Sequence, residues 1–250
     1  MEASLPTDMN VFDAFFDVAT NSFKDWRYVY NFFIEEKAAE RQKKNLLSIT
    51  IPTMDYVRLD DLMDRVLEIK KPLLIFGPTA QGKSVVMRNY VYEKDIPSKL
   101  RRYDMMGFSV NTNSQKLLSL FEARLKKISR VIMAPPEERH QVFFIDDIHM
   151  AQTDKWGDQN ANELIRQYLD YNGWYNLEKI YFKKVNEINF VASMSTRQQN
   201  KEIINERLGW HFAAVGLLNS KDSHIEQIYK FILNKVFVHS SSTVIGNVAP

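Results

Sequence analysis

Cysteine is absent from the 250 residues, so neither a disulfide framework nor a thiolate metal site is open to the chain. The absence fits a reducing compartment. An excess of charge of one sign is also missing. With 33 basic residues against 31 acidic ones the net charge is +2, and that balance calls for neither nucleic acid nor an anionic membrane as partner. No apolar run approaches the ~18 residues that a spanning helix needs. The opening MEASLPTDMN has no basic stretch followed by an apolar one, so it does not read as a secretory leader. The expectation is a soluble intracellular protein with no nucleic acid and no membrane as partner. His140, His149, His211, His224 and His239 lack metal-ligand spacing and read as structural or exposed. What is present is the material of a globular domain: a 45% hydrophobic and 12% aromatic composition can build a substantial core.

Residues 1–10 read as a loose end. The aromatic stretch 11–33 mixes periods and suits helix or strand. The charged residues 34–46, with Lys37, Arg41, Lys43 and Lys44, read as an exposed helix or linker, and Ser48 to Ile51 as a short apolar piece ended by Pro52. Thr53 suits the N-cap of a helix whose face is Met54, Val57, Leu62, Val66 and Ile69, stopped by Pro72. Leu73 to Phe76 is an unbroken apolar run, as in a strand buried on both faces. Val85 to Tyr92 predicts a helix and Asp104 to Val110 a strand. A long amphipathic helix is expected from Asn113 to Arg130, with Leu117, Leu118, Phe121, Leu125 and Ile128 in register. Val142 to Ile145, Ile188 to Ala192 and Phe212 to Leu217 predict further strands, and Glu163 to Tyr171 and Ser220 to Phe237 further helices. Strands alternating with helices imply an α/β fold around a mainly parallel sheet. Trp156, Trp174 and Tyr175 suit packing of inserted hairpins ahead of a partner surface, and Arg166 suits either a partner-facing position or a solvated or packed one.

Between the run LLIF and the next helix lies GPTAQGKS, which holds Gly77, Pro78, Thr79, Ala80, Gln81, Gly82, Lys83 and Ser84. This is the full phosphate-binding loop pattern in its proper strand-to-helix context. Gly77 and Gly82 permit backbone angles and close approach that a side chain would block. Successive N–H groups then converge on phosphate oxygens, helped by the positive end of the helix. Lys83 is expected on the terminal phosphates and the Ser84 hydroxyl on Mg2+.

The run VFFIDDIHM supplies the acidic partner. An apolar strand delivers Asp146 and Asp147 to its C-terminal end, where ligands of open α/β sheets bind. Asp146 is expected in the Mg2+ shell, and Asp147 where a general base would face the attacking water. Aspartate is one methylene shorter than the glutamate common there, and a misplacement of ~1 Å can cost ~100-fold in rate. The site is therefore expected to bind a nucleotide with Mg2+, and its hydrolysis is in doubt.

These landmarks in order resemble a known family. VFDAFFDVATNSFKDW, IPTMDYVRLDDLM, PLLIFGPTAQGKSVV, FSVNTNS, MAPPEERHQVFFIDDIHM and KWGDQNANELIRQYLDYNGWY are similar to the dynein heavy chain, specifically the third AAA+ module of its motor ring. The resemblance covers about residues 10 to 235, and the Asp-Asp pair gives it an axonemal character. It implies an AAA+ large subdomain over 47–219, an approach segment over 1–46, and the start of a helical lid with a frayed tail over 220–250. With so little of a lid, it implies a fragment, an isolated gene segment or a degenerate module. INFVASMS is similar to the sensor strand and places Ser193 or Met194 where many relatives carry Asn. NERLGWHF is similar to the arginine-finger segment, with Arg207 at a basic position and Trp210 replacing a second arginine. Such a finger would serve a neighbouring module. The nucleotide that the resemblance implies is ATP or ADP, held at a regulatory site with weak or no hydrolysis. The implied partners are the adjacent AAA+ modules and, through the full complex, intermediate and light chains and microtubules. The implied location is cytoplasmic and cytoskeletal, in the cilium or axoneme. The alternative is a stand-alone P-loop ATPase of remodelling or signalling type.

Overall fold

A computed structural model of the chain describes residues 13–17, 20–32, 34, 50–95, 100–176, 180–196 and 204–237. The readings for residues 1–10, for the basic run Lys37 to Lys44, for the start of the Ser48 piece and for the tail with His239 lie outside them. Contacts divide the chain into two units, one of residues up to Asp61 together with those from Ser220, the other Leu62–Asn219. In the first unit β1 (Ala14–Asp17) and β2 (Ser22–Asp25) form an antiparallel hairpin with Phe16 opposite Phe23. Residues 26–32 are helical, and the Trp26 ring packs on Phe15 at 4.9 Å between centroids. The mixed periodicity of this stretch is thus a hairpin running into a helix.

Helix α1 (Met54–Glu68) contributes residues to both units. Its start is held by Thr53, whose Oγ1 accepts the Tyr56 N–H at 3.3 Å. Its buried face is Tyr56, Val57, Leu59, Met63, Val66 and Leu67. Ile69 lies past the helix end and is exposed, because Lys70 turns left-handed at φ 55° before Pro72.

In the second unit β3 (Leu73–Gly77), α2 (Lys83–Asp95), β4 (Arg101–Gly107) and α3 (Ser114–Ala123) follow in turn. The helix expected as far as Arg130 stops at Ala123. The apolar spacing carries on through Leu125 and Ile128, but β5 (Lys126–Lys127) and β6 (Ile132–Ala134) form a small hairpin there instead. Ile128 consequently faces solvent. Then come β7 (His140–Asp146), α4 (Asn160–Tyr171), β8 (Gly173–Tyr175), β9 (Phe182–Val185), β10 (Ile188–Ser195), the single turn α5 (Glu206–Gly209) and β11 (Ala213–Gly216).

Five of these strands make one sheet in the order β11-β3-β10-β7-β4, every pair parallel. The expected α/β fold with a parallel sheet flanked by helices is what the chain adopts. The apolar runs of β3 and β7, and the more mixed β10, are buried on both faces, as central parallel strands must be. Phe121 of α3 packs on Phe143 at 4.6 Å and on Phe190 at 5.6 Å between centroids, which ties helix to sheet. A second sheet, β5-β6-β9-β8, joins the two inserted hairpins through the parallel pair β6 and β9. Trp174 is wholly buried in it, and its indole N–H donates to Glu122 at 3.2 Å; Lys183 meets the same carboxylate at 2.6 Å. Helix α6 (Asp222–Phe237) belongs to the first unit, where the Gln227 amide is hydrogen-bonded to the Tyr30 hydroxyl. No described helix is long and apolar enough to cross a membrane.

Candidate nucleotide-binding site

A parallel sheet brings the C-terminal ends of its strands to one side, and here that side gathers Gly77, Asp146 and Ser195. Between β3 and α2 the loop turns through two left-handed residues, Ala80 at φ 67° and Gly82 at φ 82°. Gly82 meets the requirement the sequence suggested, whereas Ala80 adopts it despite its Cβ. Gly77 is needed for another reason. A Cβ there would lie 2.6 Å from the carbonyl oxygen of Leu217, just past β11. Thr79 Oγ1 lies 3.5 Å from Ser195 Oγ, a neighbour that only the strand register supplies. Gln81 sits half-buried in the same loop.

Lys83 is 7% exposed and folds back over the loop. Its ammonium donates to the carbonyls of Gly77 at 2.9 Å and Pro78 at 2.6 Å. Burial lowers its pKa, and the charges of Asp147 and then Asp146 pull the other way. In the first turn of α2, the Ser84 hydroxyl donates to Asp146 Oδ1 at 2.9 Å. Serine and carboxylate are 62 residues apart and meet because β10 holds β3 and β7 on either side of itself.

Ser193 settles which residue of β10 faces the acid. Ala192 pairs with Ile145, so Ser193 stands beside Asp146, while Met194 packs against the core. The buried Ser193 hydroxyl donates to Asp146 Oδ1 at 2.5 Å and accepts the N–H of Asp147 at 3.1 Å. Asp147 itself is left-handed, at φ 55° and ψ 50°. That conformation is uncommon for a residue with a Cβ. Hydroxyl and carboxylate oxygens are the hard donors Mg2+ prefers, and Mg2+ commonly takes only one or two protein groups beside phosphates. The Ser84–Asp146 pair fits that pattern. Among the described residues there is no cluster of three or more histidine, cysteine or acidic side chains that would suit a different metal.

Arg207 does not join this group. It is exposed on α5 and lines a cleft of about 520 Å³ with Asp158, Gln159, Asn162, Glu163 and Glu206, among others, and none of the loop residues lines it. Trp210 is 89% exposed nearby in the chain. Arg166 is engaged within its own helix, paired with Glu163 at 2.7 Å and Asp170 at 2.5 Å.

Comparison with known proteins agrees with this geometry. Residues 38–219 match the family described as the P-loop containing dynein motor region. Mouse dynein axonemal heavy chain 1 is 32% identical over 190 residues, 76% of the chain. Human dynein axonemal heavy chain 6 is 25% identical over 234 residues, 93% of the chain, and human dynein axonemal heavy chain 2 is 26% identical over 258 residues, 99% of the chain. The matched region is 4% of the first relative and 6% of each of the other two. The family match spans most of the chain, and the chain belongs to the P-loop dynein motor region family.

Proposed function

We propose that the chain is a regulatory nucleotide site of a dynein heavy chain, binding ATP or ADP with Mg2+ and turning it over weakly or not at all. The reading takes it as the third AAA+ module of an axonemal-type ring. There it would act on microtubule-based movement through the modules beside it, with intermediate and light chains in the full complex and a ciliary location. The observation that carries the reading is the arrangement around Asp146. Lys83, Ser84 and Ser193 converge at the sheet end, yet the residue beside Asp146 is an aspartate in left-handed geometry, its N–H held by Ser193. A nucleotide finds its phosphate and metal groups assembled, while the attacking water meets a short carboxylate. Arg207, exposed on its own cleft, is assigned to a neighbouring module's nucleotide.

Two measurements on the 250-residue chain test this. Calorimetric titration with ATP and with ADP should give Mg2+-dependent binding, and steady-state phosphate release should stay near background. Turnover at ~1 s⁻¹ or faster, within the common range for enzymes, would overturn the regulatory reading.

A further inference from the structure

Ser193 is the one residue of the assembled group that touches both acids. Its hydroxyl has a single hydrogen, and that hydrogen goes to Asp146 Oδ1. One of its lone pairs takes the Asp147 N–H. Asp146 Oδ1 in turn accepts from two hydroxyls, Ser84 at 2.9 Å and Ser193 at 2.5 Å. These two donors differ in what a cation would ask of them. A cation would take a lone pair of the Ser84 oxygen, so that hydroxyl must serve the metal and Asp146 together. Ser193 is buried on the adjacent strand and can keep its own bond throughout.

Building on the nucleotide reading above, we infer that Ser193 is a positioning residue for the metal: it holds Asp146 Oδ1 in place while the Ser84 hydroxyl is shared with the cation, and fixes the Asp147 peptide in its left-handed turn. With its hydrogen spent on Asp146, it does not donate to the terminal phosphate. It therefore governs the Mg2+ dependence of binding and not the choice between ATP and ADP. Groups that orient a metal ligand typically contribute about 10- to 100-fold in metal affinity.

The test is calorimetric titration of the full chain with ATP and with ADP, each with excess Mg2+ and with EDTA. The readout is the ratio of the two affinities for each nucleotide. Ser193→Ala should lower that ratio about 10-fold for both nucleotides alike, and Ser193→Thr, which keeps the hydroxyl, should restore most of it. A loss confined to ATP would overturn the inference by making Ser193 a reader of the terminal phosphate. An unchanged ratio in Ser193→Ala would overturn it by making the bond incidental. If the unaltered chain binds neither nucleotide, the nucleotide reading itself fails first, and this inference falls with it.

Discussion

The two ends of the parallel sheet hold similar groups and use them differently. At the C-terminal end are Lys83, Asp146 and Asp147. At the N-terminal end Lys70 meets Glu187 at 2.7 Å, and His140 Nδ1 lies 3.0 Å from the same carboxylate oxygen. Both ends contain left-handed residues that are not glycine, Ala80 and Asp147 at one, Lys70 and Glu187 at the other. Backbone strain therefore does not distinguish them. The difference is where the lysine goes. Lys70 is exposed and paired directly with a carboxylate. Lys83 is buried and donates to two carbonyls, with the two aspartates acting on it only through their charge. A closed ion pair is an end in itself, whereas a buried ammonium resting on neutral carbonyls has charge left for an anion.

That contrast can be broken most sharply by removing the lysines. Lys83→Ala should weaken nucleotide binding by ~100-fold or more, in line with loss of charge-assisted hydrogen bonds to phosphate. Lys70→Ala should leave the same titration unchanged and cost stability below ~1 kcal/mol, as exposed pairs do. Equal losses from both variants would dissolve the distinction between the two ends.

A smaller effect is expected from Gly77→Ala. The added methyl would press on the Leu217 carbonyl, and overpacking of this kind costs roughly 1–3 kcal/mol. Urea unfolding would measure it, and a midpoint equal to that of the unaltered chain would show that the β3–β11 edge yields freely.

The smallest effect is a pH dependence confined to the other end. Burial holds the pKa of His140 below its ordinary 6.5, with Glu187 pulling it up and Lys70 and Arg101 pushing it down. The unfolded chain thus binds that proton more readily, so this contribution is full above ~6.5 and is lost as pH falls toward the folded value. Glu187 is held below its ordinary 4.5, chiefly by the Lys70 hydrogen bond, and its share is lost only in a lower window. Urea midpoints between about pH 8 and about pH 5 should fall for the unaltered chain and fall less for His140→Gln. Parallel curves would remove His140 from the account.

Much of the fold is legible in the chain because its signals are local. The runs Leu73 to Phe76 and Val142 to Ile145 are each a strand buried on both faces, and one strand's length of apolar residues says so without reference to anything distant. The phosphate loop is legible for the same reason, with eight consecutive residues between strand and helix. What misleads is local pattern that continues past its structural limit. Leu125 keeps helical spacing from Phe121 and is itself buried, yet α3 has ended and the chain has turned into β5, whose hairpin partner β6 is in turn paired with β9 some fifty residues on. The roles of Ser193, Ser195 and Ala80 stay hidden because they come from strand register and turn conformation, and nothing in their side chains announces either. Similarity of INFVASMS to the sensor strand brought Ser193 into view, but left Met194 equally open until the strand register decided between them.

Because β10 lies between β3 and β7, synthesis of the chain makes the nucleotide site in a fixed sequence. The loop and Asp146 leave the ribosome well before the strand that must separate and align them. Ser193 is 47 residues behind Asp146. At ~5–20 residues per second that is a delay of about 2–9 s in which both halves exist and cannot meet correctly. Direct pairing of β3 with β7 in that interval would bury the same apolar runs and would have to be undone when β10 arrives. Ser84, Asp146 and Ser193 stand together only once β10 is in place, so the last strand of the three to be made completes the site.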